Sequence, residues 1–128
     1  MDVWQRRDLL HPAENPERSV DFVITLTGRL TAPGAGGAVK VVLRYVPDAQ
    51  TVPPGAFAAY LSALEDEAWD SHERLATTIL QDVSNAIVPR WVQVVSRTGD
   101  GDARHQIMVE DRQPSWNNAE LLLHLDPV

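Results

Sequence analysis

Val39-Lys40-Val41-Val42-Leu43-Arg44-Tyr45-Val46-Pro47-Asp48 is the stretch around which the remaining elements can be ordered. Val39, Val41, Leu43 and Tyr45 alternate with Lys40 and Arg44, which is the period-two pattern of a strand with one buried face, and Pro47 ends it. Upstream, Ala32-Pro33-Gly34-Ala35-Gly36-Gly37 is a turn-forming run. Before it, Val20, Phe22, Ile24 and Leu26 alternate with Asp21, Thr25 and Thr27. The spacing predicts a strand from about Ser19 to Leu30 and an antiparallel return, a hairpin with a glycine-rich connection.

Downstream, Pro53-Pro54 suits the first turn of a helix, where a missing amide hydrogen costs nothing, and Phe57, Tyr60, Leu61 and Leu64 recur at helical spacing. A second helix is expected from Asp70 or Ser71. Leu75, Ile79, Val83 and Ile87 form its apolar stripe, and Pro89 forces its end. Arg90-Trp91-Val92-Gln93-Val94-Val95-Ser96 then reads as a strand, Gly99-Asp100-Gly101-Asp102 as a turn, and Gln106-Ile107-Met108-Val109-Glu110 as the last strand. The order strand, strand, helix, helix, strand, strand predicts an α+β unit: a four-stranded antiparallel sheet with both helices on one face. Residues 1–17 are expected to form an irregular arm, 18–111 the core and 112–128 a C-terminal extension, in which Ala119 to Leu125 is a short helix or a strand.

A chain of 128 residues with 44% hydrophobic content supports one core, and nothing in it marks a second domain. No apolar stretch approaches the roughly 20 residues of a membrane-spanning helix. Arg6 and Arg7 are not followed by an apolar run, so a cytoplasmic protein without membrane contact is expected. There is no cysteine, which excludes disulfides and thiolate metal sites. The net charge of −7 is concentrated between Asp48 and Asp82, where Asp48, Glu65, Asp66, Glu67, Asp70, Glu73 and Asp82 face one base, Arg74. That stretch reads as a solvated helix surface and argues against nucleic acid as a partner. His11, His72, His105 and His124 are scattered without ligand spacing, so no metal is expected. Gly34-Ala35-Gly36-Gly37 joins two strands and makes a poor phosphate cradle.

Three short motifs and the element order together resemble the tunnelling fold, and within it the NADPH-dependent nitrile reductases that act on 7-cyano-7-deazaguanine. Tyr45-Val46-Pro47-Asp48 is similar to the family's Tyr-Ile-Pro-Asp. Ser71-His72-Glu73 is similar to its Phe-His-Glu, and Val88-Pro89-Arg90-Trp91-Val92-Gln93-Val94 to its Asp-Pro-Arg-Tyr-Ile-Glu-Val. The resemblance covers roughly Val20 to Glu110. It implies units that join sheet edges into a multi-subunit barrel, hence a homo-oligomer, with small-molecule sites at the joints. The departures are equally specific. Gly28-Arg29-Leu30-Thr31 stands where the family has Ser-Leu-Cys-Pro with its nucleophilic cysteine, and the family's proton-donating aspartate falls near Gly37. Pro53-Pro54-Gly55-Ala56-Phe57-Ala58-Ala59-Tyr60 replaces the cofactor segment Glu-Ser-Lys-Ser-x-Lys-x-Tyr, which removes both lysines. Neither nicotinamide binding nor nitrile reduction is therefore expected, and no cofactor is assigned.

The resemblance implies that Glu73 accepts hydrogen bonds from the ring N–H and amino group of a purine-like or pterin-like heterocycle, since a carboxylate matches two adjacent donors. Asp70-Ser71-His72-Glu73 equally reads as a capping box, with Glu73 reaching back to the Asp70 amide. His72 titrates near neutrality and is the candidate acid or base beside Glu73. Trp69 either stacks on a ring or fills the junction between helices. Arg104 and Glu110 either line the same cleft from a neighbouring subunit or are exposed strand charges. The expected function is a cofactor-independent, non-reductase enzyme that binds a small planar substrate at a subunit interface and catalyses proton transfer, cyclisation or isomerisation. The alternatives are a non-catalytic ligand-binding protein and a structural barrel subunit.

Overall fold

The computed structural model describes residues 1–99 and 102–128, so Asp100 and Gly101 of the expected last turn lie outside the described residues. Four strands, β2 (Ile24–Ala32), β3 (Gly37–Val46), β5 (Trp91–Thr98) and β6 (His105–Arg112), form an antiparallel sheet in the order β2-β3-β5-β6. Helices α2 (Pro54–Leu64) and α3 (His72–Ile87) lie between β3 and β5 in the chain, and their apolar sides share one core with the sheet. A small second sheet pairs β1 (Ala13–Glu14) with β4 (Gln50–Thr51).

The core follows from the alternation. Leu30, Val39, Val41, Leu43, Tyr45, Val92 and Val94 point to the helices and meet Phe57, Tyr60, Leu61, Leu64, Leu75, Ile79, Val83 and Ile87. Each fully buried aliphatic or aromatic side chain contributes about 1.5–3 kcal/mol relative to exposure. Gly28 lets α2 come close, because an added Cβ there would overlap the side chain of Leu61. The hairpin between β2 and β3 turns through a single 3-10 turn, Pro33–Ala35, closed by Gly36 in the left-handed region at φ 107°. Pro89 acts as expected: α3 stops at Ile87, with Val88 left-handed at φ 43°.

Two expectations are corrected. The arm is not irregular throughout, because Val3–Asp8 form helix α1, where Asp2 and Gln5 make a reciprocal capping box. Asp82 is not part of a solvated surface but is fully buried. It accepts hydrogen bonds from Arg6, Arg7 and the Tyr60 hydroxyl, which fixes α1 on α3. Burial and the adjacent Asp82 carboxylate push the Tyr60 phenol well above its usual range.

On the sheet face away from the helices the two middle strands are covered, while Thr25, Thr27 and Arg29 on β2 and Gln106, Met108 and Glu110 on β6 stay exposed. Val42, Val46, Trp91 and Val95 on that face are buried. The C-terminal segment carries helix α4 (Ala119–Leu123), and residues 124–128 border the same hollow as Val42 and Arg44. Arg44 Nη1 donates to the Asp126 carbonyl at 2.6 Å. Trp116 and Asn118 both donate to Asp21, at 3.0 and 3.1 Å. No helix among the described residues is long and apolar enough to cross a membrane.

Candidate functional site

The first turn of α3 sets the site. Ser71 is the N-cap, its Oγ accepting from the Arg74 amide at 3.0 Å, so Asp70 is not the cap and the expected box does not form. The helix therefore starts one residue later than that box requires. His72 is its first residue and turns inward, while Glu73, the second, is exposed. Among the described residues the Glu73 carboxylate has no hydrogen-bond or ion-pair partner; only its backbone carbonyl is used, accepting from Thr77 Oγ1 at 2.9 Å. A negative charge at this position interacts favourably with the positive end of the helix.

His72 is buried, and both of its ring nitrogens are engaged. Nε2 lies 2.6 Å from the hydroxyl of Ser96, which is itself fully buried on β5, and Nδ1 lies 3.0 Å from Nδ1 of His105 at the start of β6. The two rings meet edge to face at 4.7 Å between centroids. The contact between the two Nδ1 atoms requires one to donate and the other to accept, so the chain Ser96, His72, His105 can run in either direction. Burial first, then His105, lowers the pKa of His72 against a smaller opposing effect of Glu73. The neutral ring is thus favoured, and His72 is buried beside the more exposed His105. His105 is exposed.

The other expected residues separate. Trp69 is half-buried against the core at the junction of α2 and α3, and its indole N–H donates to the Leu64 carbonyl at 2.8 Å. Arg104 lines an open cleft of about 700 Å³ at the end of the sheet, together with Leu30, Thr31, Glu65 and Thr98. Leu30, at the position that the resemblance assigns to a nucleophile, borders this cleft, and Glu65 accepts from the Thr31 amide there. Glu110 is elsewhere. It pairs in register with Gln93, on the face away from the helices, and its carboxylate accepts from the Trp91 indole at 2.8 Å. Within one protomer, then, Glu110 and Glu73 lie on opposite sides of the sheet.

Ser96 and His105 were missed as a pair. The available signal was a lone polar residue, Ser96, at the buried phase of the Val92, Val94, Ser96 alternation. Among the described residues no group of three or more metal-binding side chains is gathered.

A sheet of this order backed by two helices is the tunnelling-fold class. The archaeosine synthase QueF-Like, solved in the apo form, matches it with a TM-score of 0.56 at 18% identity, covering 70% of this chain and 91% of that one. The chain belongs to the QueF-like protein family, whose model matches residues 38–115. Similar proteins carry the name NADPH-dependent 7-cyano-7-deazaguanine reductase. The one from Anaeromyxobacter sp. is 40% identical over 99 residues, 74% of this chain and 80% of the relative. The one from Acidithiobacillus ferrooxidans is 27% identical over 120 residues, 89% of this chain and 84% of the relative.

Proposed function

We propose that the chain assembles with copies of itself into a tunnelling-fold barrel, in the ββααββ arrangement, and binds a small planar heterocycle at the joint between subunits, with Glu73 as the anchor. The observation that carries this reading is the Glu73 carboxylate, held at a helix N-terminus beside a histidine pair and, among the described residues, committed to no protein donor. Two adjacent ring donors would satisfy its two oxygens. The deazaguanine chemistry in the names of the relatives supports a purine-like or deazapurine-like ring as the first class to try.

The reaction that fits these residues is acid–base catalysis without nicotinamide. Leu30 offers no nucleophile, and the segment Pro53 to Tyr60 carries no cation to hold a cofactor phosphate. His105 is the group placed to exchange a proton with a bound ring, and His72 is the positioning residue behind it, backed by Ser96. Arg104 and Glu110 complete the joint from neighbouring subunits in this reading.

Thermal melting against a panel of purines, pterins and deazapurines tests the anchor. A ligand at a hundred times its dissociation constant should stabilise the protein by about 2.7 kcal/mol. Glu73→Gln should remove that shift while leaving the unliganded melting temperature in place. Equal shifts for the wild type and Glu73→Gln would exclude Glu73 as the anchor. NADPH consumption with 7-cyano-7-deazaguanine would overturn the non-reductase reading.

A further inference from the structure

Three cations cross the sheet in register. Arg29 on β2 is directly opposite Lys40 on β3, and Lys40 is directly opposite Arg97 on β5. Their chain neighbours Leu30 and Val39 face the core, so the row lies on the face away from the helices. Like charges placed directly opposite one another destabilise a sheet. Among the described residues none of the three takes part in an ion pair. Arg97 Nε donates to the neutral Gln106 amide oxygen.

The row borders the cleft of about 700 Å³ that Arg104 also lines. The one acid among the described lining residues, Glu65, is engaged by the Thr31 amide. Lys40 and Arg97 also border the neighbouring hollow that contains Asp126, whose carboxylate is not within ion-pairing distance of either. We propose that this cleft is an anion site for a phosphate-bearing small molecule, its oxygens bridged by Arg29, Lys40 and Arg97 with Arg104 closing one side. Strands lie about 4.8 Å apart, so three in-register positions span about 10 Å. That width exceeds what one carboxylate can bridge and suits a phosphate ester or diphosphate, whose oxygens point several ways and which guanidinium groups bind in pairs. The site stands independently of Glu73.

Calorimetric titration of the full chain with inorganic pyrophosphate at fixed ionic strength tests it. Saturable binding is expected, weakened about tenfold or more in Lys40→Gln and in Arg97→Gln, and retained in Lys40→Arg and Asp126→Asn. Removing one of three facing charges should also leave the unliganded melting temperature equal or raised, so lost binding cannot be ascribed to unfolding. Heats that do not saturate, or that persist unchanged in Arg29→Gln/Lys40→Gln/Arg97→Gln, would overturn the proposal. So would a triple variant that changes the sedimenting species while pyrophosphate fails to bind the wild type, since the row would then meet an acidic surface of another copy. Glu73→Gln should bind pyrophosphate as the wild type does, so failure of the ring anchor and failure of the anion site give different results.

Discussion

Helix α3 carries two carboxylates with opposite fates. Asp82, fully buried, collects donors from Arg6, Arg7 and Tyr60 and ties an N-terminal helix to the body of the protein. Glu73, on the first turn of the same helix, is exposed and collects none among the described residues. A buried carboxylate must be matched by donors from its own chain, because an unpaired buried charge is too costly to keep. An exposed one at a helix N-terminus can stay unmatched, since water and the helix end already stabilise it. Position along one helix thus separates a structural acid from one that remains available to an outside molecule.

The sharpest way to break this contrast is Asp82→Ala. It strands two guanidinium groups and a phenol in a half-dry space, and the expected loss is about 3–5 kcal/mol in denaturant unfolding. Glu73→Ala should cost less than about 1 kcal/mol, the loss of one exposed charge at the helix N-terminus. A loss of less than about 1 kcal/mol at Asp82 would mean that solvent reaches the cluster, and the contrast would collapse.

The next effect in size separates the two residues that precede Glu73's turn. Ser71→Ala should cost about 1 kcal/mol, because it deletes the side-chain cap at the N-terminus of α3. Asp70→Ala should change stability by less than about 0.5 kcal/mol, as an exposed position with no cap to lose. The reverse order would place the cap at Asp70 and leave Glu73 free to reach back to its amide.

Why the sequence could not choose between those caps is instructive. Asp and Ser are both strong N-cap residues, and adjacent positions give the same local pattern, so tertiary packing of His72 against Ser96 decides the register. The two hairpins, the start of α2 and the end of α3 were legible because alternation, Pro53-Pro54 and Pro89 are local signals, although β2 begins at Ile24 and not near Ser19. Helix α1 was not, since its anchor is an acid far along the chain, and a short helix needs such packing to persist. The cation row was invisible for a similar reason. Arg29, Lys40 and Arg97 are unremarkable as exposed-phase residues of three strands, and only the pairing register makes them neighbours.

The smallest predicted effect reads the Glu73 corner directly. Burial and His105 hold the pKa of His72 below its ordinary value, while Glu73 pulls the other way. The folded state therefore disfavours the charged ring, and the unfolded chain takes up that proton first. This contribution to stability is complete above the unfolded value, near 6.5, and is lost as pH falls towards the folded value. Proton NMR should accordingly find the His72 ring titrating below the ordinary range. His105→Ala should move the midpoint up, because one of its two depressing causes is gone. Glu73→Gln should move it further down by removing the one opposing charge. An unmoved midpoint in Glu73→Gln would mean that the carboxylate points away from the histidine pair, and the two groups would no longer share a site.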